Sequence, residues 1–149
     1  MSNNDREQAL NYLQNHHVMT LATTGPYGLW AAALFYASKD FTLIFLSAAH
    51  TRHAQNIAAT PRVAATIQEN YENWEEIKGI QLEGITQQLQ DKDRQAAIQL
   101  YTTRFPFTLQ AGSSMKTALT KVNWYQLIPD RLYFIDNSQG LGHRTEIRL

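Results

Sequence analysis

Between Ile77 and Leu89 the chain alternates as a strand does, with Ile80 and Leu82 on one face and the pattern resuming at Ile85 after Gly84. A strand this long with a glycine inside it predicts a bulge or sharp bend, the device by which a sheet turns a corner into a barrel. Other strand-like runs surround it. Val18–Thr23, Leu29–Ser38 and Phe41–Ser47 follow one another, separated by Thr24–Gly28 and by the polar turn Lys39-Asp40. They predict a three-stranded antiparallel meander, with Phe41, Leu43 and Phe45 on one face of its last strand. Arg62–Gln68 is a further strand, and Glu69–Glu76 is a polar, acidic loop carrying Tyr71 and Trp74. Val122–Ile128 and Arg131–Ile135 predict a final hairpin through Pro129-Asp130, followed by a polar, glycine-containing tail.

Helical spacing appears in between. Asp5–His16 predicts a helix capped by Asn4 or Asp5, with Ala9, Leu10, Leu13 and His17 recurring along it. Ala48–Thr60 holds a helix with Thr51 as N-cap and Pro61 as its stop. Asp91–Thr103 forms another, with Ala96, Ala97, Leu100 and Tyr101 as its buried stripe and Pro106 ending it. Phe107–Thr120 supplies a helical turn or two. Six or seven strands with two or three helices predict one α+β domain over residues 1–149, mainly β, built as a small closed or partly closed barrel.

Composition narrows the function classes. Thirteen Lys+Arg balance thirteen Asp+Glu, so no basic excess points to nucleic acid. With no cysteine, disulfides, thiolate zinc sites, iron–sulfur clusters and a cysteine nucleophile are excluded. The N-terminus lacks the apolar core of a signal peptide, and the longest apolar run, Leu29–Ala37, is about half the length a membrane-spanning helix needs. A soluble, cytoplasmic protein with no membrane partner is the expectation.

The densest chemistry lies where a strand ends at Ser47 and a helix starts near Thr51. A helix N-terminus offers unpaired N–H groups and partial positive charge, so anions settle there. Ser47 and Thr51 carry hydroxyls and Arg52 a charged fork, which together make a phosphate-sized site. The alternative is that Thr51 only caps the helix while Arg52 is solvated. His50 and His53 are three apart, but no third metal ligand accompanies them, and no metal site is expected. There is no nucleophile elbow, paired catalytic carboxylate, dinucleotide fingerprint or P-loop, so no catalytic residue is assigned. Trp30 sits beside the small Ala31, Ala32 and Ala33, which lets a flat ring or another subunit approach closely.

The order of His17–Thr23, Phe45-Leu46-Ser47, Thr51–Ile57, Pro61–Ala64 and Gly79–Gly84 resembles the pyridoxamine 5'-phosphate oxidase-like, FMN-binding split-barrel superfamily. Thr51–Gln55, Arg104-Phe105-Pro106 and the tail Tyr133–His143 are similar to its YhbP-like branch. The resemblance implies a six-stranded Greek-key split β-barrel and a homodimer with flavin at the subunit interface. It implies an FMN-binding protein, a flavin-dependent oxidoreductase acting on a small molecule whose identity the sequence does not give. Thr51-Arg52-His53 matches the family's phosphate-binding Ser-Arg-Lys run, with histidine in place of the lysine and so no full charge near pH 7. Ser47 lies at the same site, Trp30, Ala31 and Ala32 fall on the strand beside the flavin ring, and Gln81 replaces a flavin-contacting glutamine that falls at Gly79. Trp124 and the loop ending in His143-Arg144 correspond to elements near cofactor or substrate. Two other readings share the fold. One is a cofactor-free dimeric barrel that binds a small ligand or protein partner; the other is a haem-binding barrel with His53 or His143 as axial ligand.

Overall fold

The computed structural model describes residues 3–110 and 112–149; Met1, Ser2 and Ala111, within the expected 1–149 domain, lie outside the described residues. Helix α1 (Asn3–Asn15) buries Ala9, Tyr12 and Leu13; of the expected stripe Leu10 is only half-buried and His17 is exposed beyond the helix end, and Asn4 and Asp5 lie inside the first turn rather than capping it. Strands β1 (Val18–Thr23) and β2 (Trp30–Phe35) form an antiparallel hairpin, and β3 (Ala37–Lys39) and β4 (Thr42–Ser47) form another. Helix α2 (Arg52–Ala59) follows with Thr51 as its N-cap, whose hydroxyl accepts from the Ala54 N–H. Strands β5 (Arg62–Gln68) and β6 (Lys78–Gln88) flank the Glu69–Glu76 loop. Helices α3 (Asp91–Arg104), α4 (Phe107–Gln110) and α5 (Ser113–Lys121) precede β7 (Asn123–Asp136) and β8 (Arg144–Glu146).

The sheet runs β2-β1-β5-β6-β7-β4-β3, with β8 added beside β7. Eight strands and five α-helices among the described residues replace the six or seven strands and two or three helices expected from the pattern, and the six strands the resemblance implies. The extra strands come from the tail, where β8 forms, and from a break in the expected Leu29–Ser38 strand. That break is Tyr36. Its N–H donates to the His17 carbonyl (2.9 Å) and its hydroxyl to the Leu13 carbonyl (2.6 Å), tying the corner to the end of α1. The three-stranded meander is therefore not formed. β2 and β3 stand at opposite ends of the strand order, one residue apart in the chain, so the sheet curls until its ends meet at Tyr36.

The expected hairpin at Pro129-Asp130 is also replaced. β7 is one strand of 14 residues, paired with β6 from Lys78↔Asp136 to Gln88↔Tyr125. Proline removes a ladder N–H, which a strand tolerates at a bulge. Here the register shifts between Glu83 and Gly84: Glu83 pairs with Arg131 and Gly84 with Pro129, so the unpaired residue is Asp130 and the bulge lies in β7 opposite the glycine, where it keeps the proline in the strand. Inside the curved sheet Met19, Leu21, Leu43, Phe45, Ile67, Ile80, Leu127 and Leu132 pack with Leu13 of α1. A second cluster lies around Trp124, with Ile44, Leu89, Ala97, Tyr101, Phe105 and Leu119. Of the expected α3 stripe, Ala97 and Tyr101 are buried, Leu100 is half-buried and Ala96 is exposed.

Candidate functional site

The end of β4 and the start of α2 bring three expected residues together. Ser47 Oγ lies 2.8 Å from Thr51 Oγ1 and 2.6 Å from His53 Nε2, while Thr51 donates to the Ala48 carbonyl at 3.0 Å. Ser47 and His53 are buried. Both hydroxyls and the imidazole are thus committed to one another. Burial holds the His53 pKa below the ordinary histidine value, so the ring is neutral. A depressed value makes His53 a source of stability present above pH ~6.5 and lost as pH falls toward the folded value. His17 is lowered by burial too, so the comparison must be made against a variant. His53→Gln should flatten the fall in Tm between pH 8 and pH 5; a fall as steep as in the wild type would contradict this assignment.

Arg52 points the other way, onto the turn between β1 and β2. Its Nη2 donates to the carbonyls of Tyr27 and of Leu29, the latter at 3.2 Å, and its guanidinium carbon lies 4.4 Å from the centre of the Trp30 ring. Its Nε is buried and has no hydrogen-bond partner. Asn56, fully buried on the next turn of α2, donates to Thr23 Oγ1 (3.2 Å) and to the Gly28 carbonyl (3.1 Å). Gly25 leaves the space that Asn56 needs, because a Cβ there would collide with the Asn56 side chain and Cα. Gly28 has φ 82°, the left-handed conformation that glycine adopts without strain. Sequence reasoning missed Asn56, although two glycines in the 24–28 turn opposite a polar residue on an apolar helix face were its signal.

The other expected residues stand apart. Trp30 and Ala31 are exposed and Ala32 is half-buried on β2, which pairs only with β1 and carries exposed residues on both faces. Gln81 is exposed on β6, paired with Thr66 and Tyr133 and three strand spacings from β2, or about 14 Å along the sheet. It borders a shallow pocket of about 240 Å³ with Ala64, Glu83, Arg131, Tyr133 and Arg144, where the Arg144 guanidinium lies 4.2 Å from the Tyr133 ring centre. Trp124 is fully enclosed; its indole N–H donates to the Leu119 carbonyl at 2.9 Å and its ring meets Tyr101 edge-on. A groove of about 680 Å³ between α3 and β4, lined by Ile44, Leu89, Ala97 and Leu100 among others, contains none of the expected site residues. No group of three or more His, Cys, Asp or Glu among the described residues is placed to hold a metal ion.

The model of the pyridoxamine 5'-phosphate oxidase family matches residues 6–137. The chain belongs to that family. The UPF0306 protein of Enterobacter sp. (strain 638) is 33% identical over 135 residues, covering 89% of each chain. Among solved structures, a haem-binding protein from Mycobacterium smegmatis superposes with TM-score 0.73 at 17% identity, over 99% of this chain and 58% of that one. HutZ, the haem storage protein of Vibrio cholerae, gives 0.67 at 15% identity, over 85% and 91%. At these identities the structural likeness establishes the split-barrel fold. No helix among the described residues is long and apolar enough to cross a membrane.

Proposed function

We propose that this member of the family binds FMN, with the flavin phosphate at the start of α2 and Arg52 as its cation, and serves as a flavin-dependent oxidoreductase. The observation that carries the reading is the Arg52 Nε, a buried N–H donor with no partner beside a helix N-terminus. A buried donor left unpaired costs about 1–3 kcal/mol, and a phosphate oxygen is the acceptor that best relieves it. The residues present therefore fit the group, with one change from the pattern the resemblance implies. His53, Ser47 and Thr51 hold the loop in shape, and the charge is left to Arg52.

Bound flavin would supply the electron transfer, which is why no acid, base or nucleophile is needed at the site. The chain's own part is to bind and orient. Arg52 takes the phosphate, and β2, with Trp30, Ala31 and Ala32, presents a shelf of mostly small side chains to a flat ring. Because β2 is an apolar edge strand whose Ala31, Ala33 and Phe35 face is exposed, a second copy of the chain is its natural cover, and a homodimer would place the flavin between subunits. The distance from β2 to Gln81 favours the same arrangement, with Gln81 reaching the ring from the other subunit.

Arg52→Ala removes the cation while leaving the Ser47–Thr51–His53 cluster in place. Loss of one charged hydrogen-bonding partner, worth about 1.5–3 kcal/mol, should weaken FMN binding by about tenfold or more in a flavin fluorescence titration. An unchanged Kd would remove Arg52 from the site.

A further inference from the structure

The hydrogen bonds of Arg52 carry a consequence for how an anion enters. A guanidinium presents two edges that can grip an oxyanion with two parallel N–H bonds, Nε with Nη2 and Nη1 with Nη2. Both edges include Nη2. In this chain Nη2 is engaged by two carbonyls of the 24–29 turn, those of Tyr27 and Leu29, while Nε stays buried and unpaired. No anion can be gripped by either edge without taking an Nη2 proton from the turn.

What else holds the turn lies at its glycines, where Gly25 sits close against Asn56. The turn's own internal bond is the Gly28 N–H to the Gly25 carbonyl at 2.9 Å, and Asn56 holds the Gly28 carbonyl. Tyr27 and Leu29 are 61% and 82% exposed, so little apolar packing resists its release. The Trp30 ring, stacked on the same guanidinium, is the other element that would feel the change.

We propose that Arg52 is a latch on the 24–29 turn, and that an oxyanion taking its fork releases the turn. Ligand capture and turn opening are then one exchange of acceptors at Nη2, which couples the anion site to the β1–β2 hairpin and to Trp30 on the exposed edge strand. The latch rests on the reading of the α2 start as an oxyanion site, but the bonds that close it are those of the ligand-free chain.

Amide hydrogen exchange over residues 25–29 tests both halves, using the full chain with no ligand, with inorganic phosphate and with FMN. In ligand-free protein, Arg52→Gln should speed exchange in this segment by about tenfold or more while exchange in β5–β7 stays unchanged. In the wild type, which needs no variant to fold, phosphate or FMN should speed the same segment, and neither should do so in Arg52→Gln. Unchanged exchange in folded Arg52→Gln overturns the latch. So does FMN or phosphate that binds, by equilibrium dialysis, without altering the segment. Phosphate opening the turn while FMN fails to bind would leave the latch standing and remove the flavin reading. If neither binds, both fall.

Discussion

Trp124→Ala is expected to lower the free energy of unfolding by about 3–5 kcal/mol, a large share of the roughly 5–15 kcal/mol that holds a domain together. The indole is completely enclosed by residues of α3, α5 and the sheet, and its N–H is spent on the Leu119 carbonyl. Truncation therefore opens a cavity in the second cluster and leaves a buried carbonyl without its donor. Trp124→Phe separates the two effects. It keeps most of the packing and loses the hydrogen bond, at a cost of about 0.5–1.5 kcal/mol. Urea unfolding of both variants checks the order, and FMN affinity should follow neither substitution while the proteins are folded. A small stability loss accompanied by a large loss of flavin affinity would return Trp124 to the ligand site.

Gly84→Val is expected to cost about 3 kcal/mol or more, the upper end of what overpacking exacts. The residue's conformation is ordinary; the space is not. A Cβ at Gly84 would overlap the Ile128 carbonyl oxygen and the Pro129 Cα, which are backbone atoms of the paired strand and cannot swing aside. The strand would have to surrender the bulge that accommodates Pro129, and with it the bend in β6 and β7. Gly142→Ala is the control. Nothing stands near its Cβ position, and its positive φ alone should cost about 1–2 kcal/mol. Equal Tm losses in the two variants would contradict the bulge's role.

Local features were legible in the sequence where the physics is local. Two strands, Val18–Thr23 and Arg62–Gln68, occupy the residues their patterns predict, because alternation against one buried face is written into each short run. Thr51 caps α2 because side-chain capping depends on three neighbouring residues. Gly84 marks a bulge because only a missing Cβ fits there. Pro129-Asp130 misled for the complementary reason. Proline signals a turn by default, and only pairing with Gly84, 45 residues earlier, beside a bulge at Asp130 keeps it inside a strand. Tyr36 looked like any strand aromatic, since the contacts that make it a corner come from Leu13 and His17.

The candidate site divides in the same way. Ser47, Thr51 and His53 lie within seven residues of one another, so their convergence could be read directly. Whether His53 faces an anion or Ser47 is decided by burial, which spacing does not encode. Arg52 was legible as a charged fork at the start of α2, but its grip on the Tyr27 and Leu29 carbonyls depends on how the β1–β2 hairpin folds back on α2. Gln81 and β2 belong to faces that strand order alone separates.

We propose a phosphate-directed flavin site whose charge comes from Arg52. Its most direct test is a titration of cofactor-stripped protein with FMN, run beside riboflavin, which has the same ring and no phosphate. FMN is expected to bind at least about tenfold more tightly than riboflavin, as one charged phosphate contact worth about 1.5–3 kcal/mol requires. Equal affinities for the two, or binding of neither at tens of micromolar, would contradict it.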